Sequence, residues 1–172
     1  MKKIRKYITK SSQQTKKMGE RIAKEVLQAS DTCKSAVVLG LQGELGAGKT
    51  TFLQGFARGL GIKEKVLSPT FILMKKFQIP IYAIPENRRS SILWYRYFYH
   101  IDCYRIKNVK EILDLGFNEI IYNSENIVAI EWPEKIKKIL PKDTVLIQFK
   151  HNKENSRTLT FKEKYSKLLT SS

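Results

Sequence analysis

Apolar residues recur along the chain in two spacings, one typical of strands and one typical of helices. Short apolar or alternating runs predict strands at residues 3–9, 36–41, 71–77, 92–101, 127–130, 144–149 and 157–161. Helical spacing predicts helices at 12–28, 51–60 and 109–115, and a further helix that begins at Pro133. Residues 78–91 are predicted to form a loop. The pattern favours one α/β domain over residues 1–172 around a largely parallel sheet, with frayed ends at 1–4 and 163–172.

Length and composition fit a single soluble domain. The chain has 172 residues, of which 42% are hydrophobic, and no apolar run reaches the 18 residues of a membrane span. The basic N-terminus lacks the apolar core of a secretory signal. Cys33 and Cys103 show no metal-binding spacing, so we expect reduced thiols in a cytoplasmic protein.

The net charge of +16 has two interpretations. It favours attraction to RNA or another polyanion. Equally, the lysines are spread along the chain and fit an ordinary solvated surface, because no compact basic cluster with interleaved aromatics stands out. Composition alone leaves both open.

A phosphate-binding motif lies between the second predicted strand and the helix that follows. Residues 43–50 fit G-x-x-x-x-G-K-[ST], so the predicted nucleotide-binding residues are Gly43, Glu44, Leu45, Gly46, Ala47, Gly48, Lys49, Thr50 and Thr51. Glycines allow the loop to curl around phosphates, and the positive end of the helix faces the same anion. Lys49 is expected to reach the β- and γ-phosphates, and the Thr50 hydroxyl to ligate Mg²⁺. The alternative is a Gly-rich turn that merely joins strand to helix.

Two acids close predicted strands and are candidates for a metal site. Asp102 ends one aromatic-rich run, and Glu131 ends the apolar run 127–130. Both would lie near the phosphates, since ligands of open α/β sheets bind beyond the carboxyl ends of the strands. A surface acid at a strand end is the plainer alternative for each.

Three other positions have weaker assignments. His100 is interpreted either as a polar or proton-transfer group or as a structural histidine. Thr70 lies in a Ser-Pro-Thr loop of a kind that orders around a γ-phosphate, or in an ordinary turn. Trp132 and Pro133 are interpreted as packing residues.

Five motifs follow one another along the chain. They are residues 43–51, then 66–71 (Val-Leu-Ser-Pro-Thr-Phe), 100–105 (His-Ile-Asp-Cys-Tyr-Arg), 115–117 (Leu-Gly-Phe) and 130–134 (Ile-Glu-Trp-Pro-Glu). Together they resemble one family, the TsaE (YjeE) family of bacterial P-loop ATPases. Residues 15–23 also resemble the family's first helix. The resemblance covers roughly residues 5–161.

The resemblance implies a fold and a function. The fold is a P-loop NTPase-like three-layer sandwich with a mixed, largely parallel sheet and a C-terminal strand hairpin. The expected function is Mg²⁺-dependent ATP hydrolysis, weak in the isolated chain. Family members work with the TsaD–TsaB pair, which transfers a threonylcarbamoyl group to the adenosine beside the anticodon of tRNA. ATP binding and hydrolysis are thought to reset that complex, and TsaE does not perform the transfer.

The resemblance also assigns roles to residues. Thr50 and Glu131 would ligate Mg²⁺, and Asp102 would lie close to the metal and its waters. Lys49, Asp102, Glu131 and Thr70, the last in the first switch loop, form the predicted catalytic set. Residues 100–105 would form the second switch. Ser12 or a neighbour would approach the adenine, and Arg157 would contact the nucleotide, although Ser156 replaces the usual glycine.

The chain departs from the family pattern in two respects. The segment between Phe71 and His100 is about ten residues longer than expected, which is typical of a surface insertion. This segment adds Arg88, Arg89 and Arg96. The second departure is that the whole chain is more basic than expected for members of the family. An alternative function is a small-molecule or nucleoside kinase with an Arg88-Arg89 lid. A further one is RNA binding driven by charge, which would supplement the P-loop.

Overall fold

The computed structural model describes residues 4–28, 35–67, 73–86, 95–152 and 156–162. The strands in these ranges are β1 (Ile4–Thr9), β2 (Val37–Gln42), β3 (Met74–Gln78), β4 (Tyr97–Asp102), β5 (Asn126–Glu131), β6 (Val145–His151) and β7 (Arg157–Lys162). The helices are α1 (Ser12–Gln28), α2 (Lys49–Gly59), α3 (Lys110–Leu113) and α4 (Phe117–Tyr122), with 3₁₀ segments at Ile81–Ala83 and Pro133–Ile139. No helix within these ranges is long and apolar enough to cross a membrane.

The described strands form one sheet in the order β1-β7-β6-β2-β5-β4-β3. The central strands β6, β2, β5 and β4 are parallel, whereas β1, β7 and β3 join antiparallel at the two edges. The sheet is therefore mixed and largely parallel, and β6 and β7 form the predicted C-terminal hairpin. The carboxyl ends of the parallel strands meet at one edge, which is where such sheets bind ligands.

Helices cover both faces of the sheet. Alternate residues of β2 divide between two apolar cores, with Val37 and Leu39 under α1 and α2, and Val38 under α3 and α4. Each strand in the middle of the sheet is therefore buried on both sides, which explains its continuous apolar run. This arrangement is the predicted three-layer sandwich.

The boundaries differ from the sequence predictions in a few places. Strand β4 begins at Tyr97 rather than at residue 92, and the helix predicted after Trp132 is a 3₁₀ segment with Pro133 at its first turn. The predicted loop at 78–91 contains a 3₁₀ turn at Ile81–Ala83. Helix α4 was missed because Gly116, expected to end a helix, also starts the next one at φ 78°. Residues 1–3, 29–34, 68–72, 87–94, 153–155 and 163–172 lie outside the described ranges, so the predictions that fall on them are not tested.

Helices α1 and α2 cross at very short range. A Cβ on Gly55 would overlap the carbonyl oxygen of Lys16, and a Cβ on Gly59 would lie 2.7 Å from the Cβ of Ala23. Helix α1 itself is capped by Ser11, whose Oγ accepts from the Gln14 amide at 3.1 Å. The Ser11 cap and the close crossing fix the position of α1. Helix α2, which follows the predicted phosphate loop, packs against it.

Replacing Gly55 by alanine is expected to destabilise the protein, although alanine normally favours a helix interior by about 1 kcal/mol over glycine. The obstacle is backbone, so overpacking at this crossing costs about 1–3 kcal/mol or more. We expect a net loss of about 1–2 kcal/mol, measured as the free energy of unfolding in urea. Lys17→Ala on the exposed face of α1 is the control and should stay within about 0.5 kcal/mol. If the free energy of unfolding of Gly55→Ala equals that of the unmodified protein, the close α1–α2 packing is contradicted.

Candidate functional site

The predicted phosphate loop connects β2 to α2. Gly43, Gly46 and Gly48 have φ values of 145°, 77° and 100°, a range that L side chains rarely adopt. A Cβ on Gly43 would lie 2.5 Å from the carbonyl oxygen of Phe149 on the neighbouring strand β6. Glycine is therefore required both by the turn and by the close approach. Helix α2 starts at Lys49, so its positive end faces the concavity of the loop.

The Lys49 side chain lies inside this loop and is 4% exposed. Its Nζ donates hydrogen bonds to the carbonyl oxygens of Gly43 at 2.7 Å and Glu44 at 2.9 Å. It also lies 4.1 Å from the centre of the Trp132 ring, a cation–π distance. Burial lowers the pKa of Lys49, and the nearby carboxylates, Glu131 foremost, act in the opposite direction. The ammonium is thus held by two neutral carbonyl acceptors, which a charged acceptor can replace.

A chain of hydrogen bonds connects α2 to β5 and β4. The Thr50 hydroxyl donates to the Glu131 carboxylate, at 2.9 Å to Oε1 and 3.2 Å to Oε2. Nε2 of His100 lies 3.0 Å from the same Oε1. Glu131 and His100 are both buried. The buried carboxylate is therefore oriented from two sides, as is typical of a ligand fixed by a neighbouring side chain.

The structure brings Asp102 beside Glu131. The two are paired in register at the ends of the parallel strands β4 and β5, so their side chains leave the sheet on the same face. Oδ1 of Asp102 accepts a hydrogen bond from the Tyr104 amide at 3.0 Å. Asp102 is more exposed than Glu131 and borders the same cleft. Asp102 therefore offers a carboxylate at the more exposed part of the cleft, whereas Glu131 offers one that is buried.

These groups surround one cleft of about 230 Å³. Its lining comprises Leu45, Gly46, Gly48, Lys49, Thr50, Thr51, Asp102, Tyr104, Glu131 and Trp132. Gly43 and Glu44 contribute the carbonyl oxygens that hold Lys49, and the loop residue Ala47 is buried. The predicted P-loop and the two predicted acids therefore form a single site.

The remaining predicted residues are less closely placed. Arg157 packs against the loop, because a Cβ on Gly48 would lie 2.8 Å from its Cδ. Ser12 is exposed at the start of α1 and is not part of the cleft lining, so its adenine contact stays a prediction. Thr70 and the Arg88-Arg89 pair lie outside the described residues, so the switch and kinase-lid assignments also stay predictions.

Sequence reasoning missed the role of the aromatic residues at the cleft. Trp132 packs against the core as predicted, but its ring also contacts the Lys49 ammonium and lies 5.1 Å from the Tyr104 ring. Trp132 adopts a left-handed conformation at φ 59°, and its amide donates to the Leu41 carbonyl at 3.2 Å. The available signal was its position directly after an acid at the end of a buried strand.

Cys103, the next residue after Asp102, is not among the residues that line the cleft. It is fully buried, and burial raises the pKa of its thiol to about 12. A thiol with this pKa is protonated at neutral pH and is a poor nucleophile or metal ligand. It packs in the apolar core under α3 and α4. Cys33 lies outside the described residues, and the reduced state of both thiols stays a prediction.

The donor set fits Mg²⁺ bound together with a nucleotide. Within the described ranges, no group of three or more His, Cys, Asp or Glu residues is arranged to hold a metal by itself. Mg²⁺ is usually bound by one or two protein oxygens together with substrate phosphates and waters, rather than by a closed protein cage. Thr50 and Glu131 offer the oxygens, and the adjoining loop offers the phosphate cradle.

Comparison with known proteins identifies the family. A family model described as threonylcarbamoyl adenosine biosynthesis protein TsaE matches residues 9–159. The chain belongs to the TsaE family. Its TsaE relatives include one from Treponema pallidum, 32% identical over 89% of this chain and 96% of the relative, and one from Bacillus subtilis, 36% identical over 74% and 70%.

A solved structure supports the same assignment. The crystal structure of Bacillus subtilis YdiB matches with a TM-score of 0.69 and 31% identity, covering 98% of this chain and 93% of that one. The structural agreement extends over nearly the whole chain, so the shared fold includes the edge strands as well as the loop between β2 and α2. The resemblance inferred from the motifs is thus confirmed.

Proposed function

We propose that this chain is a Mg²⁺-dependent ATPase of the TsaE type that acts with TsaD and TsaB. In this proposal, its ATP binding and hydrolysis reset the complex that attaches threonylcarbamoyl to the adenosine beside the anticodon of tRNA. The chief support is the Thr50 hydroxyl held on the Glu131 carboxylate in the same cleft as Lys49. This juxtaposition joins a metal-ligating pair to a phosphate-binding lysine.

In this proposal each residue of the cleft has a role that follows from its charge and hydrogen-bonding groups. Lys49 would exchange the carbonyls of Gly43 and Glu44 for phosphate oxygens, which are stronger acceptors because they are charged. Thr50 and Glu131 would hold Mg²⁺, which when bound neutralises phosphate charge as a Lewis acid. His100 holds the Glu131 carboxylate in place through its Nε2 contact. Asp102, at the more open side of the cleft, would orient water.

The cleft also explains why the isolated chain should be slow. Lys49 is the single cation among the described residues that line it. Phosphoryl transfer normally requires further positive groups around the developing charge, and an added arginine raises turnover by about 10³–10⁵-fold in related chemistry. A partner protein that reaches the open side of the cleft would supply what is missing.

The proposal is tested by measuring ATP turnover of the chain alone and with purified TsaD and TsaB. We expect slow release of phosphate alone and a rise of at least about tenfold with both partners, because they would complete the site. The control adds TsaD and TsaB without this chain, to subtract their own turnover. Equal rates with and without the partners would count against the partner-completed site.

A further inference from the structure

A second cleft lies at the far end of α2 from the nucleotide site. It has a volume of about 590 Å³ and shares no lining residue with the first cleft. Helix α2 has 11 residues and is therefore about 16 Å long. The second cleft includes Arg58 near the end of that helix and the turn that follows it. A ligand here would leave the phosphate loop accessible.

Four cationic side chains border this second cleft: Lys16, Arg58, Lys63 and Lys65. All four are exposed, and none forms an ion pair with another described residue. The one acid in the lining, Glu64, is engaged by Lys75 at 3.8 Å. The cleft is therefore a concave surface of net positive charge, and it concentrates part of the +16 charge of the chain.

An aromatic ring from the predicted insertion forms another wall. Tyr82 is 59% exposed, and its hydroxyl donates to the Gly61 carbonyl at 3.1 Å. Gly61 fits only because it lacks a side chain, since a Cβ there would lie 2.7 Å from the Cβ of Ala83. Ile62 and Val66 are buried and form an apolar floor. The ring is thus fixed beside the four cations while much of its surface faces solvent.

We propose that this cleft binds a single-stranded RNA segment, with its phosphates on Lys16, Arg58, Lys63 and Lys65 and a base stacked on Tyr82. Strand-binding proteins combine a basic groove with aromatic rings on which bases stack, and this cleft has both. An acidic peptide matches the charge but has no base to stack on the exposed ring. An anionic lipid surface is flat and fits a concave cleft less well. The site is separate from the ATPase site and does not depend on it.

The proposal is tested by fluorescence anisotropy of a labelled 12-nucleotide single-stranded RNA with the full chain over a series of salt concentrations. Four phosphate contacts predict a slope of log affinity against log salt of about −3. Lys63→Ala with Lys65→Ala should make the slope shallower by about 1.4 and weaken binding at least about tenfold at low salt. Lys137→Ala with Lys138→Ala removes the same charge from the opposite face of the sheet and should change affinity less than about twofold.

The stacking contact has its own pair of variants. Tyr82→Ala should weaken RNA binding at least about fivefold, while Tyr82→Phe, which keeps the ring and loses the Gly61 hydrogen bond, should stay within about twofold. Melting curves and binding of a fluorescent ATP analogue show that each variant is folded with an intact nucleotide site. Equal losses in the cleft and control variants overturn the proposal. So does cleft-dependent binding of polyglutamate or anionic vesicles as tight as that of RNA.

Discussion

Replacing Lys49 by methionine is expected to abolish ATP turnover while leaving the nucleotide-free protein at least as stable. The ammonium is buried, and that burial lowers the pKa of Lys49, so the charged form is held at a cost when no anion is bound beside it. Methionine has similar length and no charge to desolvate. The Gly43 and Glu44 carbonyls that lose their partner lie in partly or fully exposed residues, where water replaces it.

Two measurements separate this result from simple unfolding. Phosphate release with TsaD and TsaB present should fall at least about 100-fold, and the melting temperature without nucleotide should be equal or higher. Lys137→Met, on the exposed 3₁₀ segment, is the matched control and should leave both unchanged. If Lys49→Met still turns over ATP at more than a tenth of the normal rate, the assignment of Lys49 as the phosphate-binding lysine is wrong. A large drop in its melting temperature would refute the argument on burial.

The parts of the fold that the sequence predicted are those specified by local pattern. The β2–loop–α2 unit depends on glycines, a lysine and apolar spacing that are contiguous in the chain, and the structure places it where the motif does. The position of Glu131 at the end of a central strand was predictable, because a continuous apolar run stops at it and such runs mark central strands. Both features follow from physics that acts over a few residues.

The features that were missed or left open depend on contacts between distant residues. Nothing near His100 in the chain indicates that its ring meets Glu131, 31 positions later, because that contact requires β4 and β5 to pair in register. The Trp132 ring beneath Lys49 likewise depends on β2 and β5 lying side by side. Sequence thus identified the chemical groups, while the sheet order determines which of them share a hydrogen bond.

The second large effect is expected from Glu131→Gln, which should remove the Mg²⁺ dependence of nucleotide binding. Glutamine has the shape of glutamate and retains an oxygen for the Thr50 hydroxyl and for His100, so the fold is preserved. It lacks the negative charge that attracts a hard divalent cation. Turnover with the partner proteins should fall at least about 100-fold, because Mg²⁺ neutralisation of the phosphates is weakened.

The decisive measurement is the affinity for a fluorescent ATP analogue with Mg²⁺ and with EDTA. The unmodified chain should bind tighter with Mg²⁺, and Glu131→Gln should bind about equally in both, because the loop and Lys49 still contact the phosphates. Asp102→Asn is the matched control, since it removes the same charge from the neighbouring, more exposed position in register with Glu131. That variant should keep most of the Mg²⁺ dependence and lose turnover. If instead Glu131→Gln keeps the full Mg²⁺ effect and Asp102→Asn loses it, Asp102 is the metal ligand and the buried carboxylate serves only to orient Thr50.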